Sequence, residues 1–540
     1  MSARGITRRS LLSAGAGAVA GSAMRPGGAI AALLGPPRPV LASQWVGSVP
    51  ATGRTIALAR SADLIAVQWQ APAAAGIELR FRSGAGGWSR WVSAAGCCGD
   101  PIPAGAAADG LIGAPLWTGG TTTVQLRARQ GLSGVRLRLV DVSGGMGASR
   151  EARLMASLAA SLPAAAPVLN AGPGQPRIIA RPAWAQGLAR PRVVPGYGAV
   201  RMAFVHHTEN PNGYARAEVP AMLRAIYAFH RYVNGWNDIG YNFVVDRFGR
   251  VFEARAGGID EPVVGAHAGG YNLVSTGVAV LGSFMGAPIS PPARRSVERL
   301  LAWKLSLHGV PAAGRVTVRV NPAGAVYSRF PAGAHVSLPR IAGHRDADST
   351  DCPGNVLYGE LPGLRPRVRR LSARAARATL VLAPPAPVAP PVAGAPPSPP
   401  PPTVTPPPPP PGTGGEARTL AGTLQRPDGT PLAGARIMLQ ARTASRRGEL
   451  VQERTIGEAL TDAQGRWSLA VTLVPAAKGS SLRALCAGSG TSGAAVSEPL
   501  DLPSAVSLTP PAPQARVPES ESPAPPAPAP SPSAAAPPAP

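Results

Sequence analysis

A histidine and a cysteine, His344 and Cys352, lie eight positions apart (352 minus 344) in a loop-like segment of small, polar and acidic residues. Imidazole nitrogen and thiolate sulfur both bind zinc well, and a catalytic zinc takes three protein ligands and leaves one position for water. His206, at the end of the apolar segment 202–206, supplies a third ligand if that segment and the loop converge. The same residues also allow a purely structural interpretation, with Cys352 as a small buried side chain and His344 as a hydrogen-bonded scaffold residue.

The distribution of histidines marks one part of the chain as the place where chemistry is carried. All seven lie between positions 206 and 344 of a sequence of 540 residues, whereas random placement would scatter them. His206 and His207 end an apolar segment, where side chains leave a sheet and begin to line a cleft. We therefore expect the active cleft at that strand end.

The segment 177–371 has the pattern of an α/β domain. Apolar runs predict strands, and a helix is predicted at 218–233 and another where apolar residues recur at helical spacing from Val297 to Leu305. The order of these elements predicts a mixed central sheet flanked by helices. The predicted strands are 202–206, 241–245, 251–253 and 277–281.

Four motifs in this segment resemble those of peptidoglycan recognition proteins and their bacterial and phage relatives, the type 2 N-acetylmuramoyl-L-alanine amidases. The resemblance covers about residues 177–371, roughly a third of the chain, and the motifs occur in the family's order. They lie at residues 204–208 (FVHHT), 237–243 (NDIGYNF), 265–272 (GAHAGGYN), and 343–346 (GHRD) with 351–354 (DCPG).

The resemblance implies a zinc ion (Zn²⁺) as cofactor, held by His206, His344 and Cys352. It also implies that Tyr241 is the catalytic polar group beside the metal. Thr350 stands two positions before the cysteine, where active members of the family have lysine or threonine.

The substrate implied by the family is peptidoglycan, and its muropeptides would occupy a groove. We expect His207, His267 and Tyr271 to bind the muropeptide there, with a structural role as the alternative for each.

The reaction implied is hydrolysis of the amide between the lactyl group of muramic acid and L-alanine. Zinc lowers the pKa of its bound water to about 7 and polarises the carbonyl. The hydroxyls of Tyr241 and Thr350 can then stabilise the oxyanion. Glu253 is a candidate acid/base helper, with a surface carboxylate as the alternative.

The first residues have the layout of a twin-arginine export signal, with Arg8 and Arg9 followed by a weakly apolar run. Small residues near Ala42 suit a signal peptidase, so we predict a signal peptide at 1–42 and a periplasmic, cell-wall-associated or extracellular protein. The alternative is an N-terminal membrane anchor. No later run is long enough to span a bilayer, so no stable transmembrane segment is expected in the mature chain.

The flanking regions predict a multidomain protein in which the α/β domain lies between two small all-β sandwich domains. Trp69, Trp88 and Trp91 of the first sandwich are candidate core residues, and the stretch 87–91 is alternatively a carbohydrate platform. The long proline runs predict a stiff spacer that keeps the second sandwich, immunoglobulin-like or carboxypeptidase-regulatory-like, away from the α/β domain. The predicted segments are a β-sandwich at 44–146, a linker at 147–175, a proline-rich linker at 381–415, the second sandwich at 416–508 and a disordered tail at 509–540.

Composition limits the possible partners. The formal net charge is +25, but the basic residues are spread along the chain, so we expect no nucleic-acid partner and an attraction to anionic cell-wall polymers instead. The four cysteines are too few for a disulfide scaffold in a chain of this size.

The sequence thus predicts an exported zinc amidase acting on peptidoglycan. The main alternative is a non-catalytic peptidoglycan-binding protein on the same fold, and Cys352 argues against it, because non-catalytic relatives typically replace that ligand. A third interpretation is a wall-anchored adhesin with a vestigial domain.

Overall fold

The computed structural model describes thirteen parts of the chain, which together contain the central α/β domain and most of both β-regions. Residues 1–37 of the predicted signal peptide, the pair Cys97 and Cys98, and the predicted tail lie outside them. The described residues are 38–70, 76–82, 87–94, 110–129, 131–142, 168–169, 175–374, 379–384, 386–387, 416–444, 450–473, 480–487 and 495–501.

The N-terminal region is an antiparallel sheet of seven strands in the order β1-β7-β2-β6-β3-β4, with β5 pairing to β2. Its strands are β1 (Val40–Val49), β2 (Arg54–Trp69), β3 (Ile77–Phe81), β4 (Val92–Ser93), β5 (Leu111–Ile112), β6 (Leu116–Ala128) and β7 (Leu132–Asp141).

These strands form one continuous sheet, whereas the predicted sandwich needs two. The reason lies in β2 and β6, which are 16 and 13 residues long. They remain paired on both sides of the register shifts near Ala62, so the sheet is not divided. One face of the sheet carries an apolar core.

The tryptophans of this region differ in role. Trp69 is 2 % exposed and belongs to the core. The Arg80 guanidinium lies 5.1 Å from the ring centroid of Trp88 and 4.6 Å from that of Trp91, and Arg127 lies 4.3 Å from the second ring. These cation–π contacts engage ring faces on which a sugar would stack, so the arrangement favours a structural role over a carbohydrate platform.

The central domain contains the predicted mixed sheet, in the order β16-β10-β13-β11-β12-β9-β8. Strand β10 is paired in parallel on both sides, with β13 and β16, and all six of its side chains are buried. A separate two-stranded sheet pairs β14 with β15. The strands are β8 (Val168–Leu169), β9 (Ile178–Ile179), β10 (Met202–His207), β11 (Phe243–Val245), β12 (Val251–Glu253), β13 (Ser275–Val280), β14 (Arg315–Arg319), β15 (His335–Pro339) and β16 (Ile341–Gly343).

Helices cover both faces of the central sheet because neighbouring residues of a strand point to opposite sides. Val278 packs in the cluster that contains the third and fourth helices, and Ala279 packs in the cluster that contains the second. The helices are α1 (Pro182–Ala185), α2 (Val219–Ala228), α3 (Pro291–Leu307) and α4 (Asn355–Arg374); short helical turns occupy Phe229–Val233, Asn272–Val274, Ala325–Tyr327 and His344–Asp346.

Local sequence explains where α3 begins. The Ser290 hydroxyl accepts a hydrogen bond from the Ala293 amide, and Pro291 occupies the first helical position, where its missing N–H costs nothing. Among the helices of the described residues, none combines the length and apolarity needed to cross a membrane.

The C-terminal region has two sheets around one apolar core. Strand β19 is the centre of the first sheet, and β23 pairs with three strands of the second. The strands are β17 (Thr379–Leu382), β18 (Ala386–Pro387), β19 (Glu416–Gln425), β20 (Arg436–Ala444), β21 (Leu450–Leu460), β22 (Arg466–Leu473), β23 (Ser480–Cys486), β24 (Ala495–Val496) and β25 (Leu500–Asp501).

The C-terminal region packs directly on the central domain, which corrects the prediction that a spacer holds the two apart. Met438 and Leu485 join the apolar cluster that contains α3. The Glu453 amide donates to the carbonyl of Gly198 over 2.6 Å. Most of the segment 381–415 lies outside the described residues, but its first residues are part of β17 and pair with β19.

Two predicted boundaries fall within strands. Strand β1 begins at Val40, inside the predicted signal peptide 1–42, and pairs with β7 from that residue onward. Strand β8 lies inside the predicted linker 147–175 and extends the central sheet by pairing with β9. Both segments therefore contribute backbone pairing to a sheet.

Candidate functional site

The first candidate ligand is placed by a fully buried strand of the central sheet. His206 is the fifth residue of β10 and is 1 % exposed. Its ring lies at the end of the strand, 5.4 Å from the ring of Tyr241 and 4.5 Å from that of His344, measured between centroids. The strand end is therefore where the predicted side chains begin to gather.

The second and third candidate ligands follow the neighbouring strand. His344 comes directly after β16, which pairs in parallel with β10, and Cys352 lies in the loop before α4. Both side chains are buried, at 2 % and 0 % exposure. Because parallel strands end at the same edge of a sheet, the loop after β16 meets the end of β10.

The structure brings His206, His344 and Cys352 together. One ligand atom of each lies within 4.8 Å of those of the other two, and the thiol sulfur is 3.7 Å from Nδ1 of His206. A set of two imidazoles and one thiol in this geometry suits zinc. The donor chemistry therefore fits the implied metal.

The other nitrogens of the two histidines also have partners typical of a metal centre. His344 Nε2 lies 2.9 Å from a carboxylate oxygen of Asp348, and His206 Nε2 lies 3.1 Å from Nδ1 of His267. Zinc-binding histidines commonly hydrogen-bond through the second ring nitrogen, which fixes the ring and its tautomer. This outer set of contacts is a second feature that fits a metal.

The His267 ring is buried and closely packed. It is 2 % exposed, and a Cβ atom at Gly265 or Gly277 would lie 2.4 Å from its ring. Burial, reinforced by the nearby His344, lowers the pKa of the His267 imidazole to about 3, so the ring is neutral at ordinary pH. It was predicted to bind substrate; its contact with His206 gives it a positioning role as well.

Tyr241 lies beside the candidate ligands. It precedes β11 in the chain and lines the same cleft as His206 and His344. The cleft is formed by the end of β10, by α2 with its helical extension, and by one segment of the N-terminal sheet. The residues that line it are Ile112, Gly113, Ala114, Pro115, His206, His207, Thr208, Glu209, Ile226, Phe229, His230, Asn234, Trp236, Tyr241, Ala266, His267 and His344.

Thr350 lies in the loop of the third ligand and is not among the residues that line the cleft. Its hydroxyl accepts a hydrogen bond from the Cys352 amide over 3.1 Å. A threonine hydroxyl can accept and donate at the same time, so this contact leaves its proton for another acceptor. The observed contact fixes the loop that carries Cys352.

His207 is held from both sides. Its ring is fully buried, with Nδ1 accepting from the Phe284 amide over 3.3 Å and Nε2 lying 2.9 Å from a carboxylate oxygen of Glu209. Both ring nitrogens are therefore already engaged. This arrangement favours a structural role over the predicted contact with substrate.

The position of Tyr271 favours the structural role that was the alternative to substrate binding. Its side chain is fully buried, packs edge-on against Phe204, and places its hydroxyl 2.9 Å from that of Ser328. It belongs to the apolar cluster beneath the β14–β15 pair and does not line the cleft. The reason is the turn after His267, which directs this ring into the core.

Glu253 does not reach the cleft either. It lies in β12, which is separated from β10 by β13 and β11 in the sheet. Its carboxylate accepts a hydrogen bond from the Arg181 amide over 2.9 Å. Burial raises the pKa of this carboxyl. The position does not support a role as acid/base helper.

Several residues of the site were not found from the sequence. Asp348 is the partner of His344, and its only signal was an acidic residue four positions after that histidine. His230 and Trp236 line the cleft with ring centroids 4.6 Å apart. The helical extension of α2 places His230 at the cleft, where its ring nitrogen accepts a hydrogen bond from the Gly240 amide.

Comparison with known proteins gives a family match over part of the chain. Residues 196–355 match the family described as N-acetylmuramoyl-L-alanine amidase. Peptidoglycan-recognition protein SC1a/b of Drosophila simulans is 28% identical over 161 residues, which cover 30% of this chain and 71% of that protein. An N-acetylmuramoyl-L-alanine amidase of Homo sapiens is 31% identical over 159 residues, which cover 29% of this chain and 22% of that protein.

Solved structures with a related region include wild-type Drosophila PGRP-LB. It is 24% identical, with a TM-score of 0.27, and the match covers 34% of this chain and 92% of that one. Each of these matches covers about a third of this chain.

Proposed function

We propose, from the match of residues 196–355 to the N-acetylmuramoyl-L-alanine amidase family, that the protein is a zinc-dependent amidase of peptidoglycan. The bond cleaved is the amide between the lactyl group of muramic acid and L-alanine. The observation that carries the proposal is the convergence of His206, His344 and Cys352 within 4.8 Å. A protein that only binds peptidoglycan has no need of a buried thiol beside two imidazoles.

In the proposed mechanism these three side chains would hold the metal. When bound, zinc supplies Lewis-acid chemistry, which lowers the pKa of water and polarises an amide carbonyl. Asp348 and His267 keep the two imidazoles oriented through the contacts at 2.9 and 3.1 Å. Their role is positioning.

The Tyr241 hydroxyl is the proposed donor to the oxygen on which negative charge develops. Its ring stands 5.4 Å from that of His206 and lines the same cleft. A donor already in place stabilises this charge without reorganisation during the reaction. Thr350 is the second proposed donor, and its contact with the Cys352 amide ties its position to that of the thiol.

The proposal is tested by mass spectrometry of purified peptidoglycan after incubation with the zinc-loaded protein, with and without a chelator. Hydrolysis adds one water molecule and separates the stem peptide from the glycan, and the chelator should abolish this release. If the protein binds peptidoglycan but releases no stem peptide, it is a non-catalytic binding protein.

We also propose export through the twin-arginine pathway, on the basis of Arg8 and Arg9. A reporter fused after residues 1–42 should leave the cytoplasm, and replacing both arginines by lysine should retain it there. Export of the lysine form at the same rate contradicts this route.

A further inference from the structure

One segment of the candidate cleft comes from a different region of the protein. Gly113, Ala114 and Pro115, which join β5 to β6 in the N-terminal sheet, line the cleft together with His206 and Tyr241. The family match begins only at residue 196. The cleft is therefore built by two regions of the chain.

The segment 113–115 is fixed at both ends. Before it, Ile112 pairs with Gln68, and after it, Leu116 pairs with Ile65. The Gly113 amide donates to the carbonyl of Val67 over 2.8 Å. Three residues held between two paired strands have little freedom, so the segment is a rigid wall.

The N-terminal sheet is also held firmly against the central domain. Leu64 and Trp117, which are 0 % and 6 % exposed, share an apolar cluster with Met222 and Ile226 of α2. Burial of large apolar side chains across a boundary stabilises the contact. The wall therefore keeps its place relative to the candidate ligands.

The chemistry of this side of the cleft limits what it can bind. The wall itself is uncharged, and the polar groups elsewhere in the cleft lining include His230, Asn234, the indole of Trp236 and the carboxylate of Glu209. Among the described residues that line the cleft there is no lysine or arginine to pair with a carboxylate. An indole and an amide without a cation suit a neutral sugar better than an anionic stem peptide.

We propose that Gly113–Pro115 is a specificity-determining wall, which contacts the neutral glycan part of the substrate and excludes bulk there. The inference rests on the proposed function, since it takes a muropeptide as the occupant of the cleft. It adds that the N-terminal sheet selects substrate, although it holds no candidate metal ligand.

Pro115 offers the test, because it is the half-buried residue of the wall. The full chain is prepared as wild type, Pro115→Trp and Pro115→Ala. The matched control is Pro50→Trp, at an exposed turn of the same sheet that does not line the cleft. Zinc content and thermal unfolding verify that each variant is folded.

Two probes separate sugar from peptide: a disaccharide-tetrapeptide muropeptide, and an N-lactoyl tetrapeptide that lacks the sugars. Their Kd values are measured with metal-free protein, and their kcat and KM with zinc-loaded protein. Pro115→Trp should weaken binding of the disaccharide-tetrapeptide by about tenfold or more, in line with the cost of overpacking, and leave the lactoyl peptide unchanged. Pro115→Ala removes bulk instead of adding it, so it should not reproduce this tenfold loss.

The outcomes distinguish this inference from the proposed function. If wild type binds the muropeptide without cleaving it, the proposed catalysis fails and the Kd comparison still decides the wall. If wild type cleaves the muropeptide and Pro115→Trp behaves like Pro50→Trp, the wall is refuted alone. If Pro115→Trp weakens binding of both probes equally, the segment does not distinguish substrates by their sugar. If wild type binds neither probe, both proposals are overturned.

Discussion

The Sγ atom of Cys352 lies 3.7 Å from Nδ1 of His206, although 146 positions separate the two residues in the chain. The contact results from the parallel pairing of β10 with β16, which directs the strand end and the following loop to the same edge of the sheet. The pair is therefore a consequence of topology, and the predicted chemistry depends on it.

Replacing Cys352 by serine should remove zinc and hydrolysis together. A hydroxyl is a poor substitute for a thiolate as a zinc ligand, and loss of an outer contact alone already costs about 10–100-fold in metal affinity. We expect Cys352→Ser to lose at least that much, measured as zinc per protein and as turnover of muropeptide.

The control for this variant is Cys486→Ser, which changes the other cysteine of the described residues. Cys486 is buried in the core of the C-terminal region, remote from the cleft lining. Cys486→Ser should therefore keep full zinc content. One zinc per molecule and normal turnover in Cys352→Ser contradict the ligand assignment.

Tyr241→Phe should slow hydrolysis while zinc stays bound. The change removes one hydroxyl donor and keeps the ring, so the rate should fall by about 10² or more, as at other oxyanion sites. Tyr232→Phe is the matched control, because Tyr232 is 49% exposed and does not line the cleft. Equal rates for both variants shift the role of donor to Thr350.

His267→Ala should weaken metal binding without removing a ligand. The variant leaves Nε2 of His206 without the neighbour that lies 3.1 Å away, and loss of such an outer contact costs about 10–100-fold in affinity. His335→Ala, at an exposed position of β15, should have no effect. Competition with a chelator measures the zinc affinity of both variants. Unchanged affinity in His267→Ala restricts that residue to packing.

The elements of the central domain could be predicted because their apolar patterns are local. The segment 251–253 matches β12, and 202–206 matches β10 to within one residue. The predicted helix 218–233 corresponds to α2 and its helical extension. Each of these patterns reports burial, which a strand or helix displays in its own sequence.

The contacts that the sequence could not predict join segments that are distant in the chain. Tyr271 follows a motif histidine, but whether its ring enters the groove or the core depends on the β14–β15 pair. The wall at 113–115 lies in a small uncharged turn with no chemical signal of its own. The proline-rich composition of 381–415 describes the spacer and says nothing of where the following region docks.

That docking depends on a buried acid, and removing its charge should destabilise the protein strongly. Glu453 is fully buried, with one carboxylate oxygen, Oε1, lying 2.8 Å from Arg483 and 3.1 Å from Arg442. Glu453→Gln leaves the buried Arg483 uncompensated, which costs about 3–5 kcal/mol. Glu458→Gln, in a half-exposed pair with Arg436, should cost about 0–1 kcal/mol. Equal unfolding free energies for the two variants, from urea titrations, contradict this role of the buried pair.

The same contact makes stability depend on pH through His308, whose Nδ1 lies 3.2 Å from Glu453. Burial, together with the charge of Lys304, lowers the pKa of the His308 imidazole to about 3, whereas an unfolded histidine has a pKa of about 6.5. Between these values the unfolded chain binds one more proton, so the free energy of unfolding falls as the pH falls.

His308→Gln removes this titrating group and should therefore lose less stability on acidification than wild type. The difference should be about 1.4 kcal/mol for each pH unit below 6.5, since one proton is involved. Urea unfolding at pH 7, 6 and 5 measures both proteins, and their comparison cancels the protonation of the other histidines. Parallel pH profiles show that His308 does not change its protonation on unfolding.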